Sequence, residues 1–263
     1  MKKIMKALTK HSLVILLLFQ IACTSTEDFE VMRQITGPIE TNCYLIYGTK
    51  SRDAALIDPG GQIDTLLAFI NENELELKYI FLTHGHIDHV YGIPEILNQF
   101  PNAKMCMHEA EYIDLFTQLE WAIENYGPGW LAQCKSNPEL AKFLEFDMKS
   151  LGEPEIFVED NQIFKLGFME IGAIHCPGHA PGQVCYYTDS ILFSGDVLFY
   201  RNVGRTDTQH GSREDQIKSV QKLYELFPDD TKVYPGHGQF TDIGSEKTEN
   251  QRITLTGGEW VIN

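Results

Sequence analysis

Three histidines and an aspartate crowd into one short string, Thr83-His84-Gly85-His86-Ile87-Asp88-His89, directly after the apolar run Tyr79–Leu82. Imidazole nitrogens two residues apart on an extended turn can point at one cation. Asp88 and His89 follow where the chain turns into a helix, so they can point at a second. Four donors packed this closely need a positive charge between them to be a sound structural choice, and a merely solvated loop has no reason to concentrate them. Three further donors obey the same positional rule, each in a tight turn just after a strand-like run. They are His179 in Cys176-Pro177-Gly178-His179, Asp196 in Ser194-Gly195-Asp196, and His237 in Pro235-Gly236-His237-Gly238. Glycine and proline beside each donor allow a sharp turn and close backbone approach. Loops at strand ends are where a rigid scaffold presents its functional groups. The seven candidate ligands are therefore His84, His86, Asp88, His89, His179, Asp196 and His237. Imidazole with carboxylate suits zinc, iron or manganese and is not a thiolate site.

The elements that must position these residues follow from the patterning. Strands are predicted at Phe29–Ile35, Asn42–Tyr47, Ala54–Ile57, Tyr79–Leu82 and Lys104–Met107, then at Ile163–Leu166, Phe168–His175, Gln183–Thr188, Ile191–Phe193 and Thr231–Tyr234. Helices are expected where Ile63, Leu66, Leu67 and Ile70 recur at helical spacing, over Pro94–Phe100, and over Arg213–Leu226 with Ile217, Val220, Leu223 and Tyr224 on one face. Residues 108–155 are helical in pattern, rich in Glu, Leu, Phe and Trp, and broken by Gly127-Pro128-Gly129, Pro138 and Pro154. They read as an insertion over one face. Two halves, each of strands and helices, give a layered α/β sandwich.

The order His-x-His-x-Asp-His, Pro-Gly-His, Ser-Gly-Asp, Pro-Gly-His-Gly resembles the metallo-β-lactamase fold superfamily. Leu56-Ile57-Asp58-Pro59-Gly60-Gly61 resembles its first motif, in which the aspartate supports the ligands. Gly195-Asp196-Val197-Leu198-Phe199 with Gly204-Arg205-Thr206-Asp207 looks like the short, single-domain glyoxalase II-like hydrolases. The resemblance covers about residues 30–245. It implies a four-layer αββα sandwich, one ion on His84, His86 and His179, a second on Asp88, His89 and His237, and Asp196 bridging them. It also implies two divalent ions, zinc first with iron or manganese as alternatives. They would activate a water for attack on an acyl carbonyl, with Asp88 and Asp196 as the carboxylates of the catalytic centre. A thioester is the substrate it implies, since a thiolate leaves readily. Arg205 and Asp207 would form a loop-fixing ion pair. Persulfide dioxygenases share much of the pattern and would use one iron on His84, His179 and Asp196; lactone or β-lactam hydrolysis is a further alternative. The C-terminal helical domain of two-domain glyoxalase II enzymes has no counterpart in the 26 residues after His237, which weakens an assignment to glutathione itself.

His108, His175 and His210 stand outside the motif, and Cys176 reads as a packing residue. Trp121, Tyr126 and Trp130 are candidates for an apolar substrate wall. Residues 1–22 begin with Lys2, Lys3, Lys6 and Lys10, continue with the apolar run Leu13–Phe19, and end at Ala22-Cys23. This resembles a bacterial lipoprotein signal, so that lipid on Cys23 would anchor the mature chain to a membrane of the cell envelope. The domain proper is expected over 29–263, after a short polar tether. Residues 1–22 hold four lysines and no acid, so the remainder carries 17 basic and 37 acidic residues, a net of −20. That balance argues against a nucleic-acid partner and for a small-molecule substrate. The five remaining cysteines are odd in number and scattered, which is no disulfide framework.

Overall fold

The computed structural model describes residues 29–263; the signal-like segment and Cys23 lie outside the described residues. In chain order the first half contains β1 (Phe29–Thr36), β2 (Thr41–Gly48), β3 (Asp53–Ile57), α1 (Asp64–Glu72), β4 (Glu76–Phe81), α2 (Ile87–Val90), α3 (Ile93–Gln99) and β5 (Lys104–Met107). Next come α4 (Glu109–Asp114), α5 (Gln118–Ser136), α6 (Pro138–Glu145) and β6 (Ile156–Phe157). The second half contains β7 (Ile163–Leu166), β8 (Met169–His175), β9 (Val184–Tyr187), β10 (Ile191–Gly195), β11 (Leu198–Phe199), β12 (Asn202–Val203), α7 (Arg213–Leu226) and β13 (Lys232–Pro235). The chain closes with β14 (Thr241–Asp242), α8 (Ile243–Glu249), β15 (Ile253–Thr256) and β16 (Glu259–Ile262).

Two six-stranded sheets result, in the orders β1-β2-β3-β4-β5-β6 and β14-β13-β10-β9-β8-β7. Strand side chains alternate between faces, and that alternation builds the layers. Tyr44, Ile46, Ala55, Ile57 and Phe81 of the first sheet meet Ile171, Ala173, Val184, Tyr186 and Phe193 of the second in the central core. The alternate residues Cys43, Leu45, Leu56 and Ile80 turn outward under α1 and α3. On the other side Ile174, Cys185 and Leu192 turn outward under Val220 and Leu223 of α7. Helix, sheet, sheet and helix are thus the four layers that the family resemblance implies.

Strands β3, β4 and β5 run parallel, as do β10 and β13. Strand β8 points the same way as β10 because each is antiparallel to β9. The loops after β3, β4, β5, β8, β10 and β13 therefore all emerge at one edge. Backbone bonds stitch the two sheets together there. Asn42 N donates to Gly236 O over 2.7 Å, Val184 N donates to Thr83 O over 2.7 Å, and the Tyr44 hydroxyl donates to Pro235 O over 2.6 Å.

The segment 108–155 is helical, with α5 kinked at Gly127, whose φ of 76° no helix tolerates. It divides in two by packing. Glu111 and Asp114 of α4 are buried, whereas α5 buries only Cys134 and α6 buries nothing. The sequence pattern did not reveal α8 or the β15–β16 hairpin, which packs on α7 through Trp260 and Tyr224. Among the described residues no helix is long and apolar enough to cross a membrane.

Candidate metal centre

All seven candidate ligands converge at the edge where the strands end. His84 and His86 follow β4, and His86, on extended backbone, is the N-cap residue of α2, which carries Asp88 and His89. His179, Asp196 and His237 follow β8, β10 and β13 as the turn residues require. Two glycines make the geometry possible. Gly195 adopts φ 48°, a left-handed conformation that swings Asp196 inward. Gly236 lies against the Asp196 carboxylate and the His89 ring, where a methyl group would collide with both.

Three donor groups lie within reach of one another: His84, His86 and His179; His84, His89 and Asp196; and Asp88, His89 and His237. In the first, His86 Nδ1 is 3.0 Å from His84 Nε2 and 2.9 Å from His179 Nε2. In the last, His89 Nε2 is 3.3 Å from His237 Nε2 and 3.4 Å from Asp88 Oδ2, and His237 Nε2 is 3.3 Å from Asp88 Oδ2. Asp196 stands between them, with Oδ2 3.5 Å from His179 Nε2 and 3.6 Å from His237 Nε2, and Oδ1 3.6 Å from His89 Nε2.

The donors fit a metal on three counts. A tetrahedral ion with bonds of 2.0–2.1 Å separates its ligand atoms by roughly 3.3 Å; Asp88, His89 and His237 stand at 3.3–3.4 Å, and His84, His86 and His179 a little closer at 2.9–3.0 Å. The tautomers agree as well. Thr83 Oγ1 donates to Asp58 Oδ2 over 2.7 Å, so its lone pair accepts from His84 Nδ1 at 3.0 Å and leaves His84 Nε2 bare. His179 Nδ1 donates to Arg205 O over 2.7 Å and likewise leaves Nε2 bare. Finally, Asp196 Oδ1 is buried without a hydrogen-bond partner, a costly state that a cation relieves.

The electrostatics divide the donors into three rings held neutral and one, His89, whose proton a bound cation would displace. Burial, together with the like-charged rings around it, pulls His84 well below the usual imidazole value, and burial takes His86 down to about 3 and His179 to about 4. These rings are neutral, as ligands must be. Burial also opposes charge on His89, but the carboxylates of Asp88, Asp58 and Asp196 outweigh it and push that ring up to about 10. Burial would raise Asp88, but the His89 and His237 rings hold it far below the carboxylate range.

A second layer of residues fixes these side chains. Asp58 is buried at φ 50°, a conformation that aspartate tolerates better than most residues. Its Oδ1 accepts from Thr83 N over 2.8 Å, and its Oδ2 lies 3.0 Å from His89 Nδ1, a charge contact off the hydrogen-bonding axis. One carboxylate thereby orients a donor of each cluster. Thr41 Oγ1 donates to Asp88 Oδ2 over 2.9 Å.

Glu111, one residue that the sequence reading missed, clamps the loops. Its Oε2 accepts from Gly85 N over 2.8 Å and its Oε1 from Gly182 N over 2.6 Å. It thus ties the His84–His86 turn to the loop after His179. Burial raises its carboxyl to about 7, against the pull of the two backbone donors. The only hint in the sequence is an acidic residue on the first turn of a helix that follows a strand end.

His108, His175 and His210 stay out of the cluster. His108 stacks on His175 at 4.3 Å, and His210 Nδ1 bonds Asp114 Oδ2 over 2.6 Å. Cys176 is buried, and the cysteines of the described residues are all free. Arg205 forms the expected pair with Asp207, at 2.6 and 2.8 Å. A cavity of about 1240 Å³ opens on the cluster and is walled by α5, α6, the loop around Arg205 and the C-terminal hairpin.

The chain is similar to the hydroxyacylglutathione hydrolase GloC of Haemophilus influenzae, at 32% identity over 213 residues that cover 80% of this chain and 92% of that protein. Its fold is similar to that of ETHE1 from Myxococcus xanthus, with a TM-score of 0.65 and 25% identity over 85% of this chain and 84% of that one. It is also similar to TTHA1623 in a di-iron-bound form, with a TM-score of 0.63 and 27% identity over 84% and 98%. The sequence profile of the Metallo-beta-lactamase superfamily matches residues 36–237, from the end of β1 to the last histidine of the cluster. With its His/Asp metal-binding cluster at the shared edge of two sheets, the chain belongs to the metallo-beta-lactamase superfamily.

Proposed function

We propose that this protein is a glyoxalase II-like hydrolase that holds two divalent ions and cleaves an acyl substrate, a thioester by preference. The observation that carries this reading is Asp196, whose carboxylate lies within 3.6 Å of donors from both clusters. His84, His86 and His179 would hold one ion, Asp88, His89 and His237 the other, and Asp196 would span them. Bound ions supply Lewis-acid charge that polarises an acyl carbonyl and lowers the pKa of a shared water.

The chain's own residues do the rest. Asp58, through Thr83, keeps His84 Nε2 free of a proton, and the Arg205 carbonyl does the same for His179. Thr41 holds one oxygen of Asp88, so that the carboxylate keeps a single orientation. Apolar side chains on the cavity wall would lower the effective dielectric beside the reacting carbonyl, which strengthens charge interactions there. The relationship to a hydroxyacylglutathione hydrolase supports thioester chemistry, and a leaving thiolate needs no proton donor.

A single-iron oxidoreductase is the second reading, favoured by the Gly204-Arg205-Thr206-Asp207 segment and by the likeness to ETHE1. One preparation separates the two. Two metals per chain with thioester turnover supports the hydrolase; one iron per chain with oxygen consumption in place of hydrolysis rejects it. Chelation of the hydrolase should abolish turnover, and added zinc, iron or manganese should restore it.

A further inference from the structure

Helix α6 carries Leu140, Phe143 and Leu144 along one side, yet buries no residue. Helix α5 buries only Cys134, although Trp121, Tyr126 and Trp130 stand along it in mutual ring contact at 5.4–5.5 Å. These side chains line the same cavity as His86, Asp88, His179, Asp196 and His237. Of the arginines that line the cavity, Arg205 pairs with Asp207, whereas Arg213 and Arg252 donate to the backbone carbonyls of Ile262 and Asn263 at the C-terminal hairpin; the residues of α5 and α6 that line the cavity include no lysine or arginine. An occupant that sets its carbonyl against the cluster and lays its remainder on the α5–α6 wall therefore meets apolar side chains and no counter-charge. At about 1240 Å³ the space far exceeds that of a two- or three-carbon acyl group and exceeds the range of an ordinary small-molecule pocket.

We propose that the wall formed by α5 and α6 is an acyl-chain site, and that the preferred substrate is a thioester of a long, uncharged, apolar acid. This rests on the hydrolytic reading of the cluster. The acyl side is assigned because the thiols that carry acyl groups in water are polar or charged, so the apolar part of such a substrate is its acyl chain. Hydrolysis adds the elements of water across the C–S bond and releases the carboxylic acid and the thiol, with no oxidant or reductant.

The test uses the metal-loaded protein and thioesters of one polar thiol with acyl chains from two to sixteen carbons. Complete burial of a methylene corresponds to about fourfold in binding. On a partly open wall kcat/KM should rise by about two- to threefold per methylene from four to twelve carbons. In Trp130→Ala, and independently in Phe143→Ala, the ratio of dodecanoyl to acetyl kcat/KM should fall at least tenfold while metal content stays at the wild-type value.

Cleavage of every chain length at one rate would overturn the acyl site and leave the hydrolase standing. An equal gain from lengthening the thiol at fixed acyl length would overturn the assignment to the acyl side. A dimer in sedimentation that Phe143→Asp dissociates would give the wall to a second copy of the chain and overturn the proposal. Calorimetric titration with dodecanol separates the two levels of inference. Tight binding that Trp130→Ala weakens tenfold, without turnover of any thioester, would keep the apolar site and reject the hydrolase.

Discussion

At the scale of the residue, Asp196 and Glu111 do different work. In the two-ion reading Asp196 would compensate the repulsion of two cations held a few ångströms apart, which a neutral isostere cannot do. Asp196→Asn should keep the fold and lose one metal first, because His84, His86 and His179 still offer three neutral nitrogens. Hydrolysis should fall by about a thousandfold or more, the scale of a lost electrostatic contribution at a reacting centre. Metal stoichiometry and rate on the same preparation check it, and two retained metals with near-native turnover would remove Asp196 from the bridge. Glu111 touches no candidate ligand side chain and positions two ligand loops through Gly85 N and Gly182 N. Glu111→Ala orphans both donors at about 1–3 kcal/mol each. Glu111→Gln keeps one acceptor and turns an amide N–H against the other donor. Metal affinity in the Gln variant should fall about 10- to 100-fold, as for other outer-shell partners, and more than kcat at saturating metal. A loss in kcat alone would give Glu111 a part in the chemistry rather than in positioning.

At the scale of the element, the segment after β5 is two devices. Helix α4 belongs to the scaffold of the metal centre, whereas α5 and α6 line the cavity. Removing residues 108–155 whole would take Glu111 with it and cost metal as well as selectivity. Replacing 119–145 by a flexible linker should spare metal content and abolish the chain-length preference; loss of metal in that variant would show the wall to be structural.

Helix α4 also has a titratable cap. His108 Nδ1 accepts from Ala110 N over 3.1 Å, so protonation removes the acceptor. Burial first, and the stacked His175 ring next, hold His108 down at about 4. Folding therefore disfavours its protonated form. The stabilisation is complete above the ordinary value near 6.5 and is lost as pH falls from there through about 4. His108→Asn supplies a cap that does not titrate, so its denaturation midpoint should depend less on pH over that window than the wild type's. Equal slopes would place the acid sensitivity elsewhere.

At the scale of the whole molecule, the acidic balance and the N-terminal segment bear on location. We propose that the mature chain begins at a lipidated Cys23, because a basic start and an apolar run lead directly to Ala22-Cys23. Cys23→Ala should move the protein from the membrane to the soluble fraction; an unchanged distribution would mean that an uncleaved apolar segment holds it.

The sequence by itself singled out the seven candidate donors, their place after strands, and a layered α/β sandwich, while the four-layer order came with the family resemblance. The first three are written in local terms: glycine and proline turns at fixed offsets, and side chains alternating with period two. The ends of β5, β7 and α7 were legible to the residue for that reason. The division of the donors between two clusters came from the family resemblance, not from local pattern, and the tertiary structure supplies its geometry, since His89 and His237 meet at 3.3 Å across 148 residues of chain. Only the tertiary structure decided that Glu111 is a clamp rather than one more surface acid, since its partners are backbone N–H groups that carry no residue-specific signal. That the aromatic face of α5 and α6 is left to a cavity rather than a core was likewise settled only in three dimensions, because periodicity shows that a face is apolar and not what covers it.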